Sequence, residues 1–444
     1  MRLNFWNRGT DTNRTQEGAV ARVLSPEQQL RRSIMACMLW EDTLYEEGQS
    51  VAERIAAAVE KVPFDKAAAI AIEACERMKL RHAPLFLARA LASRKAGRKM
   101  GDLLERIIQR PDELAEFLAL YWKDGRRPLA KQVKVGLGRA FRKFSEYELA
   151  EYDREAPVRL RDVLFLSHAK PKDEVQAELW KRLVDGKLAT PDTWEVAPSA
   201  GADKKEAFER LMSENKLGAL AFLRNLRDIH EAGISKKTVA EYGSGLRVER
   251  VLPFRFITAA RAVPQWEDVL EPLMMKCLAG QEKLPGRTVL LLDVSRWMDS
   301  RLSPRAETTR VDAGLGLGVL LRELCDDIDF FTFSNEVIQV VPRHGFALRD
   351  AMNESQPHAD AYLKNALTKL HQATSYDRIV VITVERAHDG MVPPKGRGYF
   401  VNVGTYRNGI GYGAWVHIDG WSWSESIVDY IRAFEAEWGD EKAA

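Results

Sequence analysis

The stretch LLLDVSRWMDS, residues 290–300, decides the fold of the C-terminal part of this 444-residue chain. An apolar run that ends in Asp293, followed by Ser295 and a turn, predicts a buried β-strand that delivers a carboxylate and a hydroxyl to the edge of a parallel sheet. Ligands of open α/β sheets bind at the carboxyl ends of the strands. Asp293 and Ser295 are therefore candidate oxygen ligands for a divalent cation.

Strands and helices alternate after the Leu-Pro-Gly sequence at residues 284–286. The segments TVLLLD, DFFTF, RIVVIT and GYFVNV are short and rich in β-branched or aromatic residues. Helices are predicted between and after them at residues 311–325, 361–371 and 424–437. Strands interleaved with helices predict a doubly wound parallel sheet.

The first 283 residues have a helical pattern instead. Residues 1–24 are polar and without periodicity, which predicts a flexible arm. From the N-cap Ser25, amphipathic helices of about 10 to 17 residues follow one another with Pro or Gly between them, which favours stacked helical pairs of the solenoid type. The predicted domains are an arm at residues 1–24, a helical-repeat domain at 25–283 and an α/β domain at 284–444.

Composition limits the class of protein. The apolar runs are far shorter than the roughly 20 residues that span a bilayer, and no apolar segment follows the basic N-terminus to form a signal peptide. The cytoplasm is therefore the expected compartment. The four cysteines are scattered, which predicts reduced structural thiols. A net charge of only +2 does not by itself indicate a nucleic-acid partner, so local clustering has to be examined.

Cations cluster between residues 122 and 143, which hold eight Lys or Arg residues against one acid, Asp124. If Pro128 opens a helix, four of the cations share one face within about 80°. They are Arg127, Lys131, Lys134 and Arg142. Such a ridge attracts phosphates through counterion release without reading sequence. A solvated helix face is the alternative.

Two later motifs add cations. LSHAKPKD supplies His168, Lys170 and Lys172, for which a helix C-terminus that attracts positive charge is the alternative explanation. LRNLRD places Arg224 and Arg227 three residues apart on one helical face, and PFRF adds Arg255. Those three arginines predict either a positively lined site or structural ion pairs.

Several long motifs together resemble the bacterial branch of the Ro ribonucleoprotein family. They are EGAVARVLSPEQQLRRSIMACMLWEDTLYEEG, RLRDVLFLSHAKPKD, LGALAFLRNLRDI, VLPFRFITAAR and PPKGRGYFVNVGTYRNGIGYG. Members of that family join a TROVE module, a ring of HEAT-like helical repeats, to a von Willebrand factor A-like domain. The resemblance runs over nearly the whole chain, from residue 17 to residue 438.

The resemblance implies an RNA-binding scaffold without catalytic activity. Small noncoding RNA of the Y type would bind the outer face of the ring, and single-stranded 3′ ends of structured or defective RNAs would enter its central hole, for RNA quality control or ribonucleoprotein assembly. An exoribonuclease or another ribonucleoprotein component would be the protein partner. The expected RNA contacts are Arg127, Lys131, Lys134, Arg139, Arg142, Lys143, His168, Lys170, Lys172, Arg224, Arg227 and Arg255. Glu151 and Asp153 stand where relatives are more often basic, which predicts a reduced outer surface.

The resemblance also implies a metal-ion-dependent adhesion site in the α/β domain, built from Asp-x-Ser-x-Ser, a Thr and an Asp on three loops. Asp293 and Ser295 match this pattern, but Trp297, Ala361 and Val384 stand at the other positions and offer no side-chain oxygen. We therefore expect neither a bound cation nor any other cofactor. The carboxylates near enough in sequence to rescue the site are Asp299, Asp360 and Glu385.

Without a cation, Asp293 needs another partner. We expect it to pair with Arg296 or Arg386, or to accept backbone N–H bonds from the next loop. The alternative function is a protein-adhesion module that acts through a cation on the α/β domain. A nuclease would need paired carboxylates at metal spacing, which the degraded motif does not provide. The glycines of the GLGLG segment, residues 314–318, lie inside a helical pattern and do not indicate nucleotide binding.

Overall fold

The computed structural model describes residues 25–35, 48–94, 96–189, 204–248, 251, 253–302, 308–384, 391–404, 414–419 and 426–443. The chain divides into two compact units. We call residues 1–48, 219–230 and 235–444 the sheet unit, and residues 49–218 and 231–234 the helical unit. Of the expected features, the arm at residues 1–24, Glu385 and Arg386 lie outside the described residues.

The described residues of the helical unit form α-helices with short connections. They are α2 (Gly48–Glu60), α3 (Phe64–Glu76), α4 (His82–Leu91), α5 (Arg98–Ile107), α6 (Pro111–Tyr121), α7 (Lys131–Phe141), α8 (Glu146–Tyr152), α9 (Leu160–Ser167), α10 (Glu174–Val184) and α11 (Lys204–Ser213). Close approach of α5 and α7 depends on glycine: a Cβ at Gly136 would lie 2.8 Å from the carbonyl oxygen of Gly101. A larger residue would push the two backbones apart.

Helix α6 shows how the helical unit satisfies a buried charge. Pro111 occupies the first helical position, and Glu113 accepts hydrogen bonds from the backbone N–H groups of Gln109 (2.7 Å) and Arg110 (3.1 Å). The Glu113 side chain lies in the interior. Burial raises its pKa above the ordinary value, although the two backbone donors act in the opposite direction.

The sheet unit combines helices from before residue 284 with the elements that follow it. Its helices are α1 (Pro26–Met35), α12 (Ala219–Arg224), α13 (Leu226–Glu231), α14 (Lys236–Gly245), α15 (Phe254–Ala262), α16 (Glu267–Leu278), α17 (Arg310–Leu324), α18 (Gly345–Asn353), α19 (Leu363–Ala373) and α20 (Ser426–Ala443). Its strands are β1 (Leu284–Asp293), β2 (Cys325–Phe333), β3 (Val337–Val340), β4 (Arg378–Thr383), β5 (Arg397–Asn402) and β6 (Trp415–Asp419). Short 3-10 turns lie at Pro264–Trp266 and Arg296–Asp299.

The strand order is β3-β2-β1-β4-β5-β6, and only the edge strand β3 runs antiparallel to its neighbour. Strand β1 is central: Leu292 pairs with Ile382 of β4 on one side and Asp293 with Phe333 of β2 on the other. The chain thus runs outward from β1 in both directions. A helix-rich N-terminal region followed by a mostly parallel, doubly wound sheet confirms the predicted fold class.

The glycines of the GLGLG segment have a packing role. Helix α17 lies on the sheet so closely that a Cβ at Gly314 would be 2.6 Å from the Leu292 side chain. On another side of the helix, a Cβ at Gly316 would be 2.7 Å from the ring of Phe254 in α15. The spacing that resembles a nucleotide motif therefore lets one helix contact both the sheet and a second helix.

Some elements differ from the prediction. Strands β3 and β6 and helix α18 were not expected, and α19 begins at Leu363 instead of residue 361. The backbone before α19 has other partners: Tyr362 donates its N–H to the Ser334 carbonyl (3.2 Å), and Ala359 accepts from the N–H of Arg296 (2.9 Å). These bonds hold residues 359–362 against neighbouring loops. None of the described helices is both long and apolar enough to span a bilayer.

Candidate nucleic-acid interface

The predicted helix start at Pro128 is wrong, because α7 begins at Lys131. The preceding segment is held extended: the indole N–H of Trp122 donates to the carbonyl of Arg127 (2.8 Å), and Leu129 is buried. Arg127 is therefore absent from the face of α7. Its guanidinium lies 4.3 Å from the centroid of the Tyr121 ring, a cation–π contact.

Two of the expected RNA-binding cations have structural partners. Arg139 forms ion pairs with Asp102 (2.7 Å) and Glu105 (3.5 Å) of α5. The Lys143 ammonium donates to the carbonyl oxygens of Glu105 (2.6 Å) and Ile108, and burial lowers its pKa. These side chains connect α7 to α5, so their charges interact mainly with groups of the protein itself.

Three other cations lie on one side of α7 and its C-cap; Lys131 and Arg142 are exposed, and Lys134 is half-buried. Lys131, Lys134 and Arg142 fall within about 80° of one another at 100° per residue. Neither lysine has an ion pair in the part of the chain that the structure describes. The Nε–H of Arg142 donates to the carbonyl of Lys170 (2.7 Å). This partner is a neutral group, so the contact does not neutralise the charge of the guanidinium.

The segment after α9 packs against the same side of α7. A Cβ at Gly138 would lie 3.3 Å from the Cα of Ala169, so glycine allows the segment to approach. Gln176 of α10 fixes it further, because its side chain donates to the carbonyl of Arg142 (3.1 Å) and accepts from the N–H of Lys172 (3.0 Å). Two basic motifs separated in sequence are thereby brought together.

We define the basic surface as Lys131, Lys134, Arg142, His168, Lys170 and Lys172. Both Lys170 and Lys172 are exposed, and neither has an ion pair among the described residues. His168 is the C-cap of α9, in the left-handed conformation at φ 52°. The alternative explanation of this motif, cations at a helix C-terminus, is thus also compatible with its position. Glu151, expected to weaken the surface, hydrogen-bonds the phenol of Tyr152.

The three expected arginines of the sheet unit are exposed. Arg224 ends α12 and Arg227 lies on the next short helix, with Asn225 buried between them and donating to the Ala221 carbonyl (2.8 Å). Desolvation lowers the pKa of Arg255, and the positive charge of Arg224 lowers it further. Helices α12 and α15, which carry Arg224 and Arg255, pack against each other, and the two like charges repel in a way that a bound anion would relieve.

At the carboxyl end of β1, Asp293 is fully buried and hydrogen-bonded within the protein. It accepts from the backbone N–H of Ser295 (2.8 Å) and from the hydroxyl of Thr383 (2.7 Å). Burial raises its pKa. Of the three expected alternatives, the structure shows the backbone N–H bond. Arg296 pairs with Asp360 at 2.5 Å instead, and Arg386 lies outside the described residues.

The candidate rescue carboxylates that the structure describes are also engaged. Asp360 pairs with Arg296, and Asp299 contacts His358 at 2.8 Å. Both contacts join the loop after β1 to the loop before α19. Arg296 thus supplies a fixed positive charge between the two loops.

The three lost ligand positions are occupied by apolar side chains. Ala361 and Val384 are buried, and Trp297 packs against an apolar cluster that contains Ala361. Mg²⁺ needs close to six oxygen ligands in octahedral geometry. The side chains present do not fit such a shell. Among the described residues, no group of three or more His, Cys, Asp or Glu side chains is arranged to hold a metal ion.

Sequence reasoning missed Thr383 and His358. A signal for Thr383 was available, since it ends the strand next to β1 and so lies beside Asp293 in a parallel register. His358 gave no such signal, because its contact with Asp299 depends on how two loops fold.

Comparison with known proteins gives two matches. Residues 176–283 match the model of the TROVE domain family, and the match ends directly before β1. This segment of the chain is therefore similar to the TROVE domain. A solved structure, described as the Deinococcus radiodurans RO (RSR) protein, matches 88% of this chain and 96% of its own, with 17% sequence identity and a TM-score of 0.63. These two findings confirm the resemblance to bacterial Ro proteins that the sequence motifs predicted, and the structural match shows a shared fold.

Proposed function

We propose that this chain is a Ro-type RNA-binding protein that acts as a scaffold and has no catalytic activity of its own. Small noncoding RNA, Y-like by resemblance, binds the basic surface, and single-stranded 3′ ends of structured or defective RNAs bind at Arg224 and Arg255. Its role is RNA quality control or ribonucleoprotein assembly. An exoribonuclease or another ribonucleoprotein component as partner is expected from the resemblance alone.

The observation that carries the proposal is the junction of the two basic motifs. The Arg142 bond to Lys170 and the close contact of Gly138 with Ala169 fix the second motif on the cationic side of α7. Holding like charges together is unfavourable in the free protein and favours binding of a polyanion. Phosphate groups are the matching ligand, since lysine and arginine release counterions when they contact them.

Arg224 and Arg255 support the second part of the proposal. Arginine binds phosphate oxygens with a planar fork of donors. Two exposed guanidiniums near each other suit a terminal or flexible phosphodiester better than a rigid duplex.

We further propose that the sheet unit works without a bound cation. Arg296 already places a positive charge between the loops that a metal ion would bridge. A cation-dependent adhesion function would need oxygen ligands that Trp297, Ala361 and Val384 lack.

Fluorescence anisotropy with two labelled RNAs tests the proposal. One is a structured RNA with blunt ends, and the other is the same RNA with a single-stranded 3′ tail. Counterion release contributes about fivefold in affinity per phosphate contact near 0.15 M salt. The variant K131A/K134A/K170A/K172A is therefore expected to bind both RNAs up to several hundredfold more weakly, whereas R224A/R255A loses affinity mainly for the tailed RNA.

The matched control is K99A/R106A, which removes two exposed cations of the same unit that are paired with Asp65 and Glu76. It should bind like the wild type. An equal loss in the control, or a wild-type protein that binds neither RNA at physiological salt, would contradict the proposal.

A further inference from the structure

Helix α9 presents an aromatic ring to solvent. Leu160, Val163 and Leu164 form its buried face, whereas Phe165 is 59% exposed. Phenylalanine has no polar group to hydrogen-bond water, so this exposure leaves a large apolar surface unused by the fold. Isolated exposed apolar residues are common, and the ring alone indicates no ligand.

The residues around Phe165 distinguish it from an isolated exposed apolar side chain. Arg161 lies four residues before it and His168 three residues after it, so all three stand on one side of the helix. Both neighbours are exposed. The neighbouring Leu166 is also exposed, at 37%. A ring between two nitrogen-rich side chains has the composition of a surface on which nucleobases stack.

The backbone that carries the Phe165 ring is also connected to the basic surface. The N–H of His168 donates to the Phe165 carbonyl (3.2 Å), and the next turn of chain leads to Lys170, whose carbonyl accepts from Arg142. Phosphates held by these cations would therefore bring their bases to the exposed ring. A protein partner that covers an apolar patch would need acidic groups to match the same cations.

We propose that Phe165 is a stacking platform for an unpaired base of the RNA that the basic surface holds. This inference rests on the proposed function and adds to it a preference for RNA with unpaired nucleotides at this surface. Every base has a π-face, so the platform selects single-stranded character and not sequence. A fully paired helix keeps its bases stacked on each other and cannot use the ring.

The test compares a hairpin that has a loop of unpaired adenosines with a fully paired blunt duplex of the same phosphate count. F165A is expected to bind the hairpin roughly 5- to 100-fold more weakly and the duplex as the wild type does. F165L keeps an apolar side chain without a π-face and should lose affinity similarly. F165W should stay within about twofold of the wild type, because indole also stacks. V341A, which removes a 66% exposed apolar side chain of the sheet unit, is the control.

Salt dependence separates this inference from the function on which it rests. F165A should leave the slope of log affinity against log salt unchanged, whereas K170A should reduce it by about one unit. If F165A or F165L binds the hairpin as tightly as the wild type does, Phe165 does not stack on a base, although the basic surface still binds RNA. A contact with a protein would then be the alternative role of the ring. A wild-type protein that binds neither RNA would overturn both.

Discussion

The basic surface of the helical unit differs from the loops at the carboxyl end of β1 in whether its charged groups have partners within the protein. Lys131, Lys134 and Lys170 have no ion pair among the described residues. In the sheet unit, by contrast, Asp293 accepts two internal hydrogen bonds, and Arg296 pairs with Asp360. The lysines of the basic surface therefore favour the binding of an external anion. At the carboxyl end of β1, Asp293 and Arg296 already have partners within the protein, which is why we propose that these loops work without an ion.

Cations with and without ion pairs also occur side by side on one helix, α7. Arg139 pairs with acids of α5, whereas Lys134, on the same helix, has no ion pair in the described residues. A run of positive charge in sequence therefore contains both structural and available cations. Only the positions of the acids separate them.

The largest effect on stability is expected from D293A. Alanine leaves the N–H of Ser295 and the hydroxyl of Thr383 without their acceptor in a buried place, at a cost of about 1–3 kcal/mol. D293N retains an acceptor and a donor of the same size and should cost much less. Urea unfolding measures both. K170A, at an exposed position, should change stability by less than about 0.5 kcal/mol. Equal stability of D293A and the wild type would show that the hydrogen bonds of Asp293 do not stabilise the folded protein.

Removal of the charge between the loops should have a smaller effect. The Arg296 side chain is 58% exposed, so its pair with Asp360 is screened by solvent. R296A should cost less than about 1 kcal/mol. A double-mutant cycle with D360A isolates the pair, and a coupling energy near zero would show that the two loops do not depend on it.

A pH effect is expected from Glu113. Because burial raises its pKa in the folded protein, the folded state holds this proton at pH values where the unfolded chain has released it. Its contribution is fully present below the ordinary glutamate pKa and is lost as pH rises through the raised one. The difference in unfolding free energy between wild type and E113Q should therefore shift in favour of E113Q from pH 4 to pH 7. A constant difference would show that the pKa is not raised.

Magnesium should have the smallest effect. A ligand that binds only the folded protein raises its stability in proportion to the logarithm of its concentration. We expect no change in melting temperature when Mg²⁺ or Mn²⁺ is titrated to millimolar levels. Stoichiometric binding in calorimetry would contradict the account and favour the cation-dependent adhesion function.

Much of the fold could be predicted from the sequence. Runs such as RIVVIT are buried along their length and leave little choice except a central parallel strand. Strand β3 was missed because VIQV is a short edge strand with partly exposed residues. The start of α7 was wrong because a single indole bond from Trp122 holds the preceding segment extended, and no periodicity records that contact.

The site was less predictable. The basic residues were identifiable by type, but the sequence could not tell that Arg139 faces Asp102 or that Lys170 meets Arg142, because each contact joins distant parts of the chain. The lack of side-chain oxygens at Trp297, Ala361 and Val384 could be read from the sequence, since it is a property of the residues themselves. The replacement partners, Thr383 and His358, depend on the packing of the loops.

The salt dependence of RNA affinity shows whether the lysines of the basic surface contact phosphate groups. For the wild type and for K131A/K134A/K170A/K172A, log affinity is measured against log salt concentration with the blunt structured RNA. Each phosphate contact contributes about 0.9 to the slope, so the variant should be shallower by roughly 3 to 4. The control K99A/R106A should keep the wild-type slope. Identical slopes for wild type and the quadruple variant would show that these lysines do not hold RNA.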